Sequence, residues 1–438
     1  MKMTVIGTGY LGATHAACMA YLGHEVLGVD SEIGKVEALN GSRAPFFEPG
    51  LDPLLHRHLG ETLNFSDSYN EAANFANVHF LCVGTPQQDG NFSADISQLR
   101  DAVSKLVPLL RGHHTIIGKS TVPVGTAAEL QKLADALCVP GSAIDIAWNP
   151  EFVREGFAVA DTVRPSRIVV GQRPGSQAAN IVREIYTTPL DSGMPFIVTD
   201  LATAELAKGA SNAFLGTKIS FANAMAEVCE AAGADVVQLT EIMGYDDRIG
   251  YKYLGSGLGF GGGCLPKDVR GFIARAGELG ANDAYAFLRE VDSINTRRRE
   301  RMVTMITKMM GGTVLGGKIA ILGCAFKPDT DDVRDSPALD VAGQLLMKGA
   351  RVTLYDPQAM ANARRAYPAL SFAHSAEEAV AGADLVVYAT DWGEFHHLKP
   401  HALRDLVSTP IIIDGRNALD PWEWLSAGWT YKAMGRNF

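Results

Sequence analysis

The apolar, partly β-branched run Met3 to Ile6 predicts a strand. It breaks at Gly7-Thr8-Gly9-Tyr10-Leu11-Gly12, a helical stretch continues to about Leu22, and Glu25 to Val29 reads as a second strand ending at Asp30. Three more strands follow at βα spacing. Val78 to Val83 leads into Gly84-Thr85-Pro86, Thr115 to Gly118 into Ser120-Thr121-Val122-Pro123, and Ile144 to Trp148 into Asn149-Pro150-Glu151. Each ends in polar or turn residues, as where ligand-binding loops leave the carboxyl ends of parallel strands. From about Thr199 the chain becomes Ala-rich and strand-poor through Ala232, again over Val236–Met243, and again over Asn282–Met310, predicting helices. Then the opening pattern recurs. Lys318 to Gly323 matches the first strand and its glycine, Gly349 to Asp356 matches Gly23 to Asp30, and Ala383–Tyr388 and Pro410–Asp414 match later strands. The expected fold is α/β: two doubly wound Rossmann-like domains, 1–198 and 313–438, joined by a helical central domain, 199–312.

Strand, G-x-G-x-x-G, helix, strand and acid form the context that a dinucleotide fingerprint requires. Gly7 makes the turn, Gly9 admits the pyrophosphate, Gly12 lets helix and strand close up, and Asp30 can accept the ribose hydroxyls, which favours NAD. In the second copy Ala325 and Phe326 stand where glycines would be needed, so that domain is expected to hold a different ligand or pose.

Composition narrows the class. A chain of 438 residues exceeds one hydrophobic core, and 47% hydrophobic with 20% charged residues is ordinary globular usage. A net charge of −10 argues against a nucleic-acid or anionic-membrane surface. The six cysteines are scattered, with no CxxC and no zinc spacing, so no metal and a reduced, cytoplasmic setting are expected. With the first strand at Met3 no signal peptide is expected, and no apolar run is long enough for a membrane helix.

Candidate chemistry centres on Gly259-Phe260-Gly261-Gly262-Gly263-Cys264-Leu265-Pro266-Lys267-Asp268, a glycine-crowded loop that presents a thiol with a cation and a carboxylate one helical turn on. Three pairs sit four apart, the spacing of one helix face: Glu151 with Glu155, Lys208 with Asn212, and Cys264 with Asp268. Thr85 and Thr121 read either as ligand-loop residues or as helix caps. The pairs His113-His114 and His396-His397 read as surface loops, and Cys18, Cys82, Cys138, Cys229 and Cys324 as inert core thiols.

Nearly end to end, the sequence resembles the nucleotide-sugar 6-dehydrogenases, the UDP-glucose/GDP-mannose dehydrogenase family. The resemblance rests on Gly7 to Gly12, Phe47-Glu48-Pro49-Gly50-Leu51, Cys82 to Pro86, Ser120 to Thr126, Asn149 to Glu155, Lys208 to Phe221, Phe260 to Asp268, Phe326-Lys327-Pro328 with Arg334, and Asp414-Gly415-Arg416-Asn417. Its Cys82–Pro86 and Ser120–Thr126 segments look more like the UDP-glucose members than those acting on GDP-mannose or UDP-N-acetylmannosamine. The resemblance implies a four-electron oxidation of a primary alcohol to a carboxylate with two NAD in turn and a Cys264 thiohemiacetal and thioester; the small-residue helical middle suggests a homodimer. The resemblance also implies catalytic roles for Cys264, Lys208, Asn212, Asp268, Glu151 and Thr121. The same resemblance places Tyr10, Leu11, Asp30, Lys35, Thr85, Thr121, Glu155, Lys267 and Arg334 on the cofactor. UDP-glucose would meet Glu151, Phe152, Lys208, Asn212, Arg248, Tyr253, Leu254, Gly255, Ser256, Gly257, Gly261, Lys327 and Arg416. How protons divide among Glu151, Lys208 and Asp268 stays open, as do the same chemistry on another nucleotide sugar and a non-catalytic binding role. Gly263 departs from the serine that many members carry there.

Overall fold

Period-two burial builds the first sheet. Met3 and Val5 face one core with Val26, while Ile6 faces the other with Leu27 and Val29. The computed structural model describes every residue except Asn282, Ala284, Tyr285 and Phe438. It falls into two compact units, Met1–Ser211 and Asn212–Phe438.

In the first unit the strands are β1 (Lys2–Ile6), β2 (Glu25–Val29), β3 (Leu63–Ser66), β4 (Val78–Leu81), β5 (His113–Gly118), β6 (Ala143–Trp148), β7 (Ile168–Gly171) and β8 (Phe196–Thr199), in the order β3-β2-β1-β4-β5-β6-β7-β8. Neighbours are parallel except β6 and β7. Helix Tyr10–Tyr21 packs on the face carrying Phe80 and Ile117; helices Ser97–Leu106 and Thr126–Leu137 cover the other. Order reverses beside β1, so the β1 and β4 ends form a switch point.

In the second unit β9 (Lys318–Leu322), β10 (Arg351–Tyr355), β11 (Ser371–Phe372), β12 (Leu385–Tyr388), β13 (Ile411–Asp414) and β14 (Thr430–Ala433) form an all-parallel sheet, β11-β10-β9-β12-β13-β14. Helices Val236–Gly244, Leu265–Glu278 and Ala286–Met309 precede it. Helix Leu201–Ala232 is continuous in the chain. The third helical stretch expected from sequence begins at Asn282, which lies outside the described residues; its helix is described from Ala286. The doubly wound strands expected from the sequence are present, and β3, β7, β8, β11 and β14 are additions.

Candidate active site

In the first unit the turn after β1 fits a dinucleotide phosphate. A Cβ on Gly12 would lie 1.8 Å from the Gly7 carbonyl oxygen, whereas one on Gly9 meets nothing within 4 Å. Gly9 therefore borders open space. Helix Tyr10–Tyr21 begins there with no side-chain cap and no acid in its first turn, leaving its N-terminal field for an anion. Asp30, at the end of β2, accepts the Thr8 N–H at 2.7 Å, the Thr8 hydroxyl at 3.2 Å and the Glu32 N–H at 3.0 Å, and stays partly exposed. Lys35 pairs with Glu32 at 2.7 Å.

Its counterpart in the second unit, Asp356, is sealed. One oxygen accepts the N–H groups of Cys324 (2.7 Å) and Ala325 (2.9 Å) and the Trp392 indole (3.0 Å); the other accepts Gln358 (2.9 Å) and Ala359 (2.8 Å). That carboxylate is filled by protein donors, which agrees with the broken glycine turn.

Loops at the strand ends are tied together. The Thr85 hydroxyl donates to the Thr121 carbonyl at 2.7 Å, so neither threonine side chain serves as a helix cap there. Glu205 accepts the N–H groups of Gly125 (2.7 Å) and Ala127 (2.6 Å), holding the start of helix Thr126–Leu137. The expectation that Glu151 and Glu155 share a helix face fails: both lie in an irregular loop, with Gly156 at φ +78°. Buried Glu48 organises that loop by accepting the N–H groups of Gly156 and Ala158, each at 2.7 Å, and the Tyr10 hydroxyl. Burial and Glu48 push the Tyr10 phenol far up, so it remains a donor. Glu155 is buried in the same turn.

Glu151 binds the Lys208 ammonium at 2.8 Å and accepts the Val153 N–H at 2.7 Å. Phe152 lies under the Arg167 guanidinium, 3.6 Å from ring centroid to carbon, with Lys208 at 5.9 Å. Behind them Lys119 is buried; it donates to Asn149 Oδ1 at 3.0 Å, and Asn149 donates to the Val169 carbonyl at 2.8 Å.

In the second unit Cys264 is exposed at the N-cap of helix Leu265–Glu278, with proline in the first turn. Asp268, one turn on, is buried; it accepts the Asn212 amide at 2.7 Å and the Lys267 ammonium at 2.7 Å, while its N–H donates to the Cys264 carbonyl at 2.8 Å. Beside Gly263, Arg334 holds Asp332 through Nε at 2.9 Å and Nη2 at 2.7 Å.

The remaining expected substrate residues fare differently. Arg416 donates to the carbonyls of Ala389 (2.6 Å), Gly259 (2.9 Å) and Phe326 (3.2 Å). Lys327 lies 5.7 Å from the Phe326 ring centroid. Arg248 is 85% exposed and paired with Asp246 at 2.6 Å. Tyr253 adopts φ +66°; Leu254, Ser256, Gly257 and Gly261 are buried, and Gly255 is exposed.

Two further expectations need correction. His114 is no surface-loop residue: it is buried in β5 and bonded to His79 at 3.0 Å. Cys138 is half-buried rather than a core thiol. The other four are buried, and burial pushes Cys18 and Cys82 up to about 12. Glu48, Glu205, Asn223, Asn295 and Arg298 were given no role from sequence. Glu48 alone carried a signal, its place in the Phe47–Leu51 motif.

A dinucleotide turn, a second doubly wound sheet and a cysteine at a helix N-terminus define an NAD-dependent oxidoreductase. The chain belongs to the UDP-glucose/GDP-mannose dehydrogenase family: residues 1–190 match its NAD binding domain, 202–297 its central domain and 320–421 its UDP binding domain. It is 39% identical to a UDP-glucose 6-dehydrogenase of Rhizobium meliloti over 100% of both chains. It is 38% identical to UDP-glucose 6-dehydrogenase YwqF of Bacillus subtilis, over 100% of this chain and 98% of that protein. The solved UDP-glucose dehydrogenase of Pyrobaculum islandicum superposes with a TM-score of 0.91 at 35% identity, covering 100% of this chain and 98% of that one. Among the described residues, no helix is long and apolar enough to cross a membrane.

Proposed function

We propose that the chain oxidises UDP-glucose to UDP-glucuronate by four electrons, through a thiohemiacetal and a thioester on Cys264. The observation that carries this reading is the exposed Cys264 thiol at a helix N-terminus, one turn from the buried Asn212–Asp268 pair. Bound NAD supplies the hydride acceptor for each oxidation; Gly7, Gly9, Gly12 and Asp30 hold it with Tyr10, Leu11, Lys35, Thr85, Thr121 and Glu155, and the family resemblance adds Lys267 and Arg334.

The Lys208–Glu151 pair takes the O6 proton as C6 is oxidised to the aldehyde. The Cys264 thiolate then adds to the aldehyde carbon, and Lys208 with Asn212 stabilises the resulting oxyanion; one such preorganised donor is worth about 3 kcal/mol. Loss of the second hydride leaves a thioester. Water activated by a carboxylate, for which the family resemblance offers Asp268 and Glu151, attacks it, releasing the carboxylate and returning the thiol. Lys327, Arg416 and Arg248 offer positive charge to the diphosphate. Phe152 and the segment Tyr253–Gly257 with Gly261 line the sugar nucleotide. The division 1–198, 199–312 and 313–438 separates these tasks. Exposed Phe214, Phe221 and Val228, seven residues apart on helix Leu201–Ala232, support a homodimer, and the cysteine pattern supports a cytoplasmic setting.

The test is turnover of purified protein with NAD and a panel of UDP- and GDP-sugars. Two NADH per UDP-glucose, abolished in Cys264→Ser, is the expected result. Faster turnover of a GDP-sugar refutes the substrate, and no turnover with any sugar refutes the reaction.

A further inference from the structure

The loop that ends in Cys264 is gripped by its main chain. Asn295 accepts the Phe260 N–H at 2.8 Å and donates to the Phe260 carbonyl at 2.9 Å, a two-point hold that also fixes the amide's orientation. One helical turn on, Arg298 Nε donates to the Gly257 carbonyl at 2.8 Å, and Nη1 donates to the Asn223 carbonyl at 3.3 Å. Asn223 Oδ1 accepts the Gly257 N–H at 2.8 Å. Arg416 reaches the Gly259 carbonyl at 2.9 Å, and the Gly415 carbonyl accepts the Leu258 N–H at 2.9 Å.

Asn223, Asn295 and Arg298 are all 0% exposed. Burying an arginine and two amides is unfavourable unless their hydrogen bonds are made, and an apolar core of equal volume would be at least as stable. What these side chains supply is direction. Each reaches main chain of 257–260, so they set the path of the loop whatever its side chains are. Gly259 belongs to the same device: it adopts φ +89°, and a Cβ there would fall 2.4 Å from Asn295 Oδ1.

We propose that Asn295 and Arg298, with Asn223, are positioning residues that hold residues 257–260 so that the Cys264 thiol meets the aldehyde before it escapes. The inference rests on the reading of Cys264 as the nucleophile. A thiol displaced by about 1 Å loses most of the advantage of its fixed geometry, while the first oxidation does not use it. Loosening the clamp therefore uncouples the two oxidations.

The experiment compares wild type, Asn295→Ala, Asn295→Ser, Arg298→Lys and Cys264→Ala with NAD and UDP-glucose, with a hydrazide present to capture free aldehyde. Single-turnover NADH formation reports the first oxidation and steady-state NADH the whole reaction. Expected for Asn295→Ala are a first oxidation within threefold of wild type, overall turnover down at least tenfold, and captured aldehyde that wild type does not release. Arg298→Lys should fall between the two. Overall turnover within twofold of wild type overturns the proposal. So does loss of both oxidations in equal measure with no aldehyde captured, which marks a purely structural role. If Asn295→Ala does not fold, by circular dichroism, Asn295→Ser and Arg298→Lys decide by the same criteria. Full turnover of Cys264→Ala would refute the nucleophile itself; a dead Cys264→Ala beside a normal Asn295→Ala refutes only the clamp.

Discussion

Lys208 Nζ lies 2.8 Å from Glu151 Oε1, with 5 and 10% of the two side chains exposed. A pair this deeply buried adds little net stability, but removing one partner strands the other charge at a cost of about 3–5 kcal/mol. Lys208→Met should therefore destabilise the protein by about that amount and lower kcat at least ~100-fold. Glu151→Leu added to Lys208→Met should restore most of the stability and none of the activity. Urea unfolding beside NADH assays separates the two effects. A double variant no more stable than the single one would show that the pair is not the source of the loss.

Asp30 and Asp356 end equivalent strands and should respond oppositely. Asp30 is partly exposed with capacity left for a ligand, and a charged hydrogen bond is worth about 1.5–3 kcal/mol, so Asp30→Ala should raise the KM for NAD at least ~10-fold with little change in stability. Asp356 is 1% exposed and accepts Cys324, Ala325, Gln358, Ala359 and Trp392 donors. Asp356→Ala strands those donors and should destabilise by at least ~3 kcal/mol while leaving the KM for NAD unchanged in the folded fraction. Equal KM effects would mean that the second fingerprint still binds dinucleotide.

Local pattern carried the sheets. Glu25–Val29 was legible to the residue because its apolar run is bounded by a helix and by Asp30. Strand β8 was not, since it is four residues long and Ile197 and Val198 are exposed. Glu151 and Glu155 have helical spacing, yet the loop conformation comes from Glu48, more than a hundred residues away, accepting Gly156 and Ala158. His114 looked like a surface residue because its partner, His79, lies 35 positions earlier. Asn295 and Arg298 sit in a stretch that reads from sequence only as helix, and their targets are main-chain groups 35 and 41 residues back, which leave no trace in side-chain pattern. Glycine-rich motifs and paired polar residues mark where chemistry is placed; the groups that hold it come from distant sequence.

The buried histidines make stability depend on pH. His114 Nε2 lies 2.9 Å from the Arg111 carbonyl, which can only accept, so that nitrogen carries the proton. His79 Nε2 then donates to His114 Nδ1 at 3.0 Å, and the Thr4 hydroxyl donates to His79 Nδ1 at 2.7 Å. Both rings are neutral. Burial lowers His79 to about 3, lowers His114 below the usual histidine value and holds His15 well below it. In the unfolded chain these groups titrate near 6.5, so below that pH the unfolded state binds more protons and stability falls. Stability should be fully present above pH ~6.5 and decline as pH drops toward ~3, by up to ~1.4 kcal/mol per pH unit for each such histidine. Urea midpoints between pH 7.5 and 4.5 test this, and replacing His79 and His114 together with leucine should flatten the slope. An unchanged slope would place the acid sensitivity elsewhere.

Gly263 can be tested against its neighbour Gly261. A Cβ on Gly263 would fall 2.2 Å from Arg334 Cζ, the far end of a side chain that is 63% exposed and paired with nearby Asp332. A pair whose guanidinium is this exposed is worth about 1 kcal/mol, so the guanidinium should swing aside and the loop keep its path. A Cβ on Gly261 would instead fall 2.3 Å from the Asp335 carbonyl oxygen, and main chain cannot swing aside. Gly263→Ser should therefore change stability by less than ~1 kcal/mol and, on the proposed contact of Arg334 with NAD, raise the KM for NAD a few-fold. Gly261→Ala should destabilise by about 1–3 kcal/mol or more. Thermal and urea unfolding of the two variants side by side, with NAD titrations, decide the matter. If Gly263→Ser loses as much stability as Gly261→Ala, the guanidinium is fixed, and Gly263 is needed to accommodate it.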